Sequence, residues 1–197
     1  MRNELFNPYL FEPEKLSQSQ IFPFTGDITE YPIDIIVNST NHNLISGGGV
    51  NGAINYRAGF ELQQEAMKFK KIKPGQAFIT KAYNLPSKYV IHTLGPKWFH
   101  GGQDEEKTLT RCYRNCMHLA AGLGARTIAF PNISTGAFNY PKEQAAIIAV
   151  ATINECLSTM FNWNIHVFVV CRNEENSKCT SKAVVNYNYN KEVKNAI

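Results

Sequence analysis

A chain of 197 residues, 44% hydrophobic and 18% charged, is long enough for one domain with a sizeable core. Its net charge of +4 suits an anionic ligand but falls short of a nucleic-acid-binding signature. No stretch approaches the ~20 apolar residues of a spanning helix, and Met1 to Leu16 carries Glu4, Glu12 and Glu14 with no long apolar run, so a leaderless intracellular protein away from the membrane is expected. Gln20 to Phe24 reads as a short strand, followed by a turn at Thr25-Gly26-Asp27. Ile33 to Val37 is a continuous apolar run, the pattern of a strand buried on both faces. A helix pattern runs from Gly52 to about Phe69. Ala77–Thr80 and Tyr89–Leu94 read as strands of a hairpin turning at Asn84-Leu85-Pro86-Ser87. A helix from about Lys107 to Leu123 places Leu109, Cys112, Cys116, Leu119, Ala120 and Leu123 on one apolar face. Thr127–Phe130 is a strand, a helix runs from Pro141 to about Phe161, and Ile165–Cys171 is the last strand. The residues from Asn173 onward carry only a weak helix pattern and are expected to pack loosely or fray.

Strands alternating with helices predict a three-layer α/β/α sandwich on a mixed, mostly parallel central sheet. The chain divides into an N-terminal extension over 1–19, one domain over 20–172 and a tail over 173–197. Lys68, Lys70, Lys71 and Lys73 read as a solvated helix end. The five cysteines, Cys112, Cys116, Cys156, Cys171 and Cys179, are odd in number and lie mostly within helix and strand patterns, which fits free thiols in a reducing compartment. Cys112 and Cys116 stand four apart, but no second pair of Cys or His accompanies them at ligand spacing, so no metal is expected.

Two polar loops follow apolar strands. The first runs Asn38-Ser39-Thr40-Asn41 and then Ser46-Gly47-Gly48-Gly49-Val50-Asn51-Gly52; the second is Ser134-Thr135-Gly136-Ala137-Phe138. Loops at the carboxyl ends of strands are where open α/β sheets bind ligands. Consecutive glycines allow close backbone approach, and successive N–H groups in such a loop can form an anion nest. Asn38 and Asn41 offer both donors and acceptors to a hydroxyl-rich ligand. Two such loops could grip a diphosphate from both sides.

The chain resembles the macrodomains, in particular the MacroD-like ADP-ribosyl hydrolases. The matching pieces are Gly26-Asp27-Ile28-Thr29, Ile36-Val37-Asn38-Ser39-Thr40-Asn41, Gly47 through Ile54, Ala58-Gly59, Tyr83-Asn84-Leu85-Pro86, Tyr89 through Pro96 and Phe130 through Pro141. The resemblance spans Phe22 to Cys171 and implies binding of ADP-ribose. On that basis Asp27 accepts from the adenine amine, and Ile28 provides a backbone N–H and an apolar wall to the base. Gly47, Gly48, Gly49 and Val50 line the diphosphate on one side; Ser134, Thr135, Gly136, Ala137 and Phe138 close over it from the other. Asn41 holds the distal ribose, and Phe138 packs on that sugar. The residues themselves leave plainer roles open: Asp27 as a turn residue, Phe138 as core, Asn41 as a partner for loop backbone, and His92, Tyr83 and Tyr89 as packing residues.

The chain departs from the family pattern at three positions. MacroD-like hydrolases usually carry an acid where Asn51 stands, and an amide cannot act as a general base; Asn51 also fits the N-cap of the following helix. Arg172 stands where many relatives have an aromatic that stacks on adenine; a guanidinium plane can stack there too, or be a solvated strand end. Asn139 occupies a position often held by glycine. The resemblance implies a hydrolase of mono-ADP-ribosyl esters on acidic side chains or of O-acetyl-ADP-ribose, with water attacking at the distal ribose, Asn41 and Asn51 orienting, and the Gly49 and Gly136 amides stabilising charge. A non-catalytic ADP-ribose reader is the alternative that Asn51 supports, and an RNA or poly(A) module a distant third. The expected partners are ADP-ribose or a mono-ADP-ribosylated protein bound by a monomer. No cofactor is called for.

Overall fold

The computed structural model describes residues 18–195. The expected extension over 1–19 therefore lies outside the described residues, apart from Gln18 and Ser19. In chain order the elements are β1 (Gln20–Thr25), β2 (Ile35–Ser39), α1 (Gly49–Ala58), α2 (Phe60–Met67), β3 (Ala77–Lys81), β4 (Tyr89–Thr93), α3 (Glu105–Gly122), β5 (Thr127–Phe130), α4 (Lys142–Thr159), β6 (His166–Cys171) and α5 (Glu174–Asn195).

The strands form one six-stranded sheet in the order β1-β6-β5-β2-β4-β3. All neighbours are parallel except the β3–β4 pair, which is the hairpin expected from the sequence. β5 and β6 are buried along their whole length, which explains their unbroken apolar runs. Alternation sorts the side chains onto two faces. Ile35, Val37, Ile91, Ile128 and Phe130 pack against α3 and α4. Ile36, Val90, Ala129, Phe168 and Val170 pack against Ile54, Ala58 and Leu62 of α1 and α2. The result is the three-layer α/β/α sandwich.

Two details differ from the sequence reading. The helix pattern from Gly52 to Phe69 is two helices, broken at Gly59, whose φ of 93° interrupts the helical path. The tail forms the 22-residue helix α5, which packs Ala183 on Ala146 and Val150 of α4. Its contact stripe is made of Cys179, Ala183, Val184 and Tyr187 among polar residues. A sparse apolar stripe among polar residues gives a weak periodic signal, and the burial comes from α4 and the sheet rather than from helix propensity.

Asp34 ties the starts of three strands together. Its Oδ2 accepts from the backbone N–H groups of Arg126 (3.0 Å) and Thr127 (3.1 Å) and from the Thr127 hydroxyl (3.1 Å). Its Oδ1 meets Lys88 Nζ at 2.6 Å, and its backbone carbonyl accepts from the N–H groups of Lys88 and Tyr89. Burial alone would raise this carboxyl; the Lys88 contact and the Arg126 and Thr127 donors outweigh it and hold the group below its ordinary value. Asp34→Ala is expected to cost about 2–3 kcal/mol in urea denaturation at pH 7, since it orphans several donors. Because the folded carboxyl titrates below the unfolded one, this contribution is present above pH 3.8, the ordinary value, and is lost as pH falls through the lower folded value. The wild-type advantage over Asp34→Ala should therefore shrink in acid, and equal stabilities at pH 7 would contradict this role.

Candidate functional site

The strand order reverses between β5 and β2. The chain leaves β2 toward β4 and leaves β5 toward β6, so the loops after these neighbouring strands diverge and open a crevice at their carboxyl ends. The two glycine-bearing loops of the sequence flank this crevice.

The first loop leads straight into α1. Gly48 is the N-cap, no side chain caps the helix, and no acidic residue lies in its first turn. Open space surrounds the positions where a Cβ would sit on Gly48 and Gly49, and Gly49 has a φ of 61°. The helix thus offers uncapped N–H groups and the positive end of its dipole to the crevice. The loop is pressed tightly onto the helix behind this end: a Cβ on Gly52 would lie 2.2 Å from the Gly47 carbonyl oxygen.

In the second loop, Ser134 is buried with a φ of 66°, and its hydroxyl has no hydrogen-bond partner among the described residues. Tyr140 N–H donates to the Ser134 carbonyl, and Asn139 N–H to that of Gly136. Gly136 faces open space. Thr135 and Ala137 lie beside it, the first half-buried and the second exposed. Phe138 is half-buried against the cluster of Leu44, Ala66, Ile72 and Leu94, so it packs as core on one side. Helix α4 begins beyond this loop, at Lys142, with Pro141 at its N-cap.

Asp27, Ile28 and Arg172 lie just past the carboxyl ends of β1 and β6, on the β6 side of β5. Ile28 is buried in the core with Ile33, Ile36 and Ile54 rather than presented as an open wall. Thr25 and Cys171 are paired at the ends of β1 and β6, and Gly26 N–H donates to the Cys171 carbonyl, which places Asp27 and Arg172 on adjacent strand ends. Asp27 is exposed, and its Oδ1 accepts from the N–H (2.9 Å) and hydroxyl (2.7 Å) of Thr29. It serves the turn with one oxygen.

The asparagines divide into two roles. Asn41 is half-buried at the base of the first loop. Its Oδ1 accepts from the N–H groups of Asn43 (3.2 Å) and Ile45 (3.3 Å), and its Nδ2 donates to the Ile45 carbonyl at 2.7 Å. Asn38, expected to face the ligand, is instead wholly buried below the loop because it pairs with interior groups. Its Nδ2 donates to Asn51 Oδ1 at 2.9 Å and lies 3.2 Å from His92 Nδ1. Asn51 is not the N-cap but the third residue of α1, 5% exposed. Its Oδ1 also accepts from Asn55 Nδ2 (3.0 Å), and its Nδ2 donates to the Ile45 carbonyl (2.9 Å).

This arrangement has close counterparts among known proteins. The family model described as "Macro domain" matches residues 37–149. The chain belongs to the macrodomain family. A macro domain-containing protein of Mesorhizobium japonicum is 49% identical over 130 residues, covering 66% of this macrodomain chain and 74% of its own. A protein of Enterobacter sp. named O-acetyl-ADP-ribose deacetylase is 44% identical over 170 residues, covering 84% and 94% respectively. Among solved structures, a mutant of the Oceanobacillus iheyensis macrodomain with ADPR superposes with a TM-score of 0.79 at 34% identity, covering 86% of this chain and 92% of that one. That protein has been solved with an asparagine, a glycine or an aspartate mutated, at the same spacing as Asn41, Gly48 and Asn51 here.

The sequence showed Gly52 only as part of the polar loop, with no packing role of its own, and gave no sign of Asn55 or Glu105. Glu105 is buried and accepts from the N–H groups of Phe99 (2.8 Å), Gly101 (3.2 Å) and Gln103 (2.7 Å), while Trp98 N–H donates to the Phe138 carbonyl, so this connection braces the second loop. A lone acid at a helix start resembles any first-turn residue, and only the folded loop gives it a task.

Gly52→Ala must displace a backbone carbonyl, and is expected to lower stability by about 1–3 kcal/mol, or a Tm fall of roughly 3–10 °C. Gly48→Ala adds a methyl to open space and should leave Tm nearly unchanged. Thermal denaturation checks both, and similar losses in the two variants would contradict this packing. His92 is buried, and that burial lowers its pKa from 6.5 to about 3. The folded state thus refuses a proton that the unfolded chain accepts. Stability is complete above pH 6.5 and falls between 6.5 and about 3. From pH 7 to 5 this contributes a loss of about 2 kcal/mol, which should be absent in His92→Gln by chemical denaturation at the two pH values.

Proposed function

We propose that this macrodomain binds ADP-ribose across the β2/β5 crevice and hydrolyses acyl esters of its distal ribose, such as O-acetyl-ADP-ribose or an ADP-ribosyl ester on an acidic side chain. The observation that carries this reading is the uncapped N-terminus of α1 at Gly48–Val50 standing with Gly136 at one crevice, both open where a side chain would otherwise intrude. The N–H groups there suit the diphosphate. Asp27 keeps one carboxylate oxygen for the adenine amine, and Arg172 on the adjacent strand end supplies a plane for stacking. Asn41, with an amide hydrogen to spare after bonding Ile45, reaches for the distal ribose. The name carried by the Enterobacter relative and the ADPR held by the Oceanobacillus macrodomain agree with this ligand and this chemistry.

The hydrolytic step draws on positioning rather than on a protein base. Water attacks the acyl carbon of the ester on the distal ribose rather than the sugar carbon, and the carbonyl oxygen takes negative charge. The acyl–oxygen bond to the ribose then breaks, the ribose oxygen takes a proton from the water, and the carboxylic acid departs. Asn51 has no basic oxygen, and its amide is committed to Asn38, Asn55 and Ile45. Loss of a general base costs ~10²–10⁴ in rate. In this reading the ligand's own phosphate holds the attacking water, and loop N–H groups stabilise the oxyanion. The commitment of the Asn51 amide oxygen to Asn38 and Asn55 favours one second reading, a non-catalytic reader of ADP-ribose.

Two measurements separate these readings. ADP-ribose at 100-fold over Kd adds ~2.7 kcal/mol, so Tm should rise by roughly 5–10 °C; no shift at millimolar ligand would overturn both. Wild type should then release acetate from O-acetyl-ADP-ribose, and Asn41→Ala should slow that release. Binding without turnover by wild type, with turnover gained by Asn51→Asp, would establish the reader instead.

A further inference from the structure

A single run of hydrogen bonds crosses the interior from the edge strand to the ligand loop. It starts at Thr80 on β3, passes His92 on β4, Asn38 on β2 and Asn51 on α1, and ends on the Ile45 carbonyl. Thr80, His92, Asn38 and Asn51 are all buried. The sheet register makes this possible, since Asn38 pairs with His92 and their side chains share the face toward α1 and α2.

The direction of every bond in the run follows from its end. A backbone carbonyl can only accept, so Asn51 must present Nδ2 to Ile45, and Oδ1 to Asn38. The Asn51 backbone carbonyl, accepting from Asn55 Nδ2 at 2.8 Å, fixes the amide of Asn55 in the same way. Asn38 must then turn Nδ2 toward Asn51, and this same group faces His92 Nδ1. Nδ1 therefore accepts, the ring hydrogen sits on Nε2, and Nε2 donates to Thr80 Oγ1 at 2.9 Å. Phe78 stacks on the ring with centroids 4.8 Å apart and planes 6° apart, which fixes its plane. A second proton on Nδ1 would set donor against donor and break the run at Asn38.

The far end of the run lies directly beneath the ligand loop. A Cβ on Gly47 would sit 3.3 Å from Asn51 Nδ2, and the Ile45 carbonyl is shared by Asn41 and Asn51. A carboxylate at 51 could not make the bond to Ile45, so this clasp depends on the amide this chain carries. We propose that His92, as its Nε2–H tautomer, is a positioning residue for the ligand loop, setting Ile45–Gly49 through Asn38 and Asn51 with Thr80 as its outer anchor. Its effect on ligand affinity rests on the ADP-ribose reading; its effect on the loop does not.

The test uses the full chain with Thr80→Val, which removes the acceptor at nearly constant volume, and Thr80→Ser, which keeps it. Nitrogen-15 NMR of the histidine ring at pH 7 should show the neutral Nε2–H form in wild type. The Gly47–Gly49 amide resonances should move in Thr80→Val and return in Thr80→Ser. ADP-ribose affinity by calorimetry should fall about 5–10-fold in Thr80→Val, the equivalent of one buried hydrogen bond, and recover in Thr80→Ser. An Nδ1–H ring, unmoved loop amides in Thr80→Val, or failure of Thr80→Ser to restore them overturns the proposal, because a volume effect alone would not follow the hydroxyl. If wild type binds no ADP-ribose, the proposed function falls, and the tautomer and loop resonances alone decide the inference.

Discussion

The site rests on the need to pair the amide nitrogen of a fully buried asparagine, whose Oδ1 has no hydrogen-bond partner among the described residues. Asn38 ends the apolar run of β2 with a side chain that has no access to water, and an unpaired amide nitrogen there would cost about 1–3 kcal/mol. Its Nδ2 finds two partners, His92 on the next strand and Asn51 on the following helix. That requirement brings the start of α1 down onto the end of β2. The tight contact between Gly52 and the Gly47 carbonyl lies on the inner side of this connection. The open helix end at Gly48 and Gly49 is then the outer side of a connection whose inner side is sealed.

The two ends of the sheet have separate tasks. At the amino end, Asp34 gathers the starts of β2, β4 and β5 with an ion pair and backbone bonds, all of them spent on holding register. At the carboxyl end, β2 and β5 part and leave unfilled space over Gly48, Gly49 and Gly136. Stability concentrated at one edge allows the other to remain open. A lid of side chains over these glycines would bury more surface, and it would also fill the crevice.

Much of this was legible in the chain. β5 coincides with the apolar run Thr127–Phe130, and the β3–β4 hairpin was visible from its turn residues. The two polar loops stood out because each follows an apolar strand, the first with a run of three glycines and the second with Ser, Thr and a single glycine. What stayed hidden depended on contacts distant in sequence. The break at Gly59 looks like one glycine inside a helix pattern, and α5 carries a sparse apolar stripe among polar residues that only packing on α4 makes meaningful. Asn38 and Asn41, three residues apart in one motif, looked alike. Strand alternation and the turn after Ser39 send one into the core and leave the other beside the crevice. His92 showed only as a polar residue in an apolar strand; its partners come from 12 and 54 residues away.

The amide at position 51 links the buried core to the ligand loop. An acid there would bring a base to the crevice, yet its oxygens would face the Ile45 carbonyl across the 2.9 Å that Nδ2 now bridges. The bond from Asn51 to Ile45 would then be lost, and two acceptors would stand against each other at that point of the loop. Asparagine settles this conflict in favour of the loop. On the ADP-ribose reading, the chain gives up proton abstraction by a side chain and gains a fixed frame for the diphosphate. Such an exchange leaves transition-state stabilisation to preorganised N–H groups, which act without reorganising as charge develops. Whatever rate the site achieves then depends on how rigidly Ile45–Gly49 is held, and that rigidity originates in the buried run of bonds behind it rather than in the residues that face the crevice.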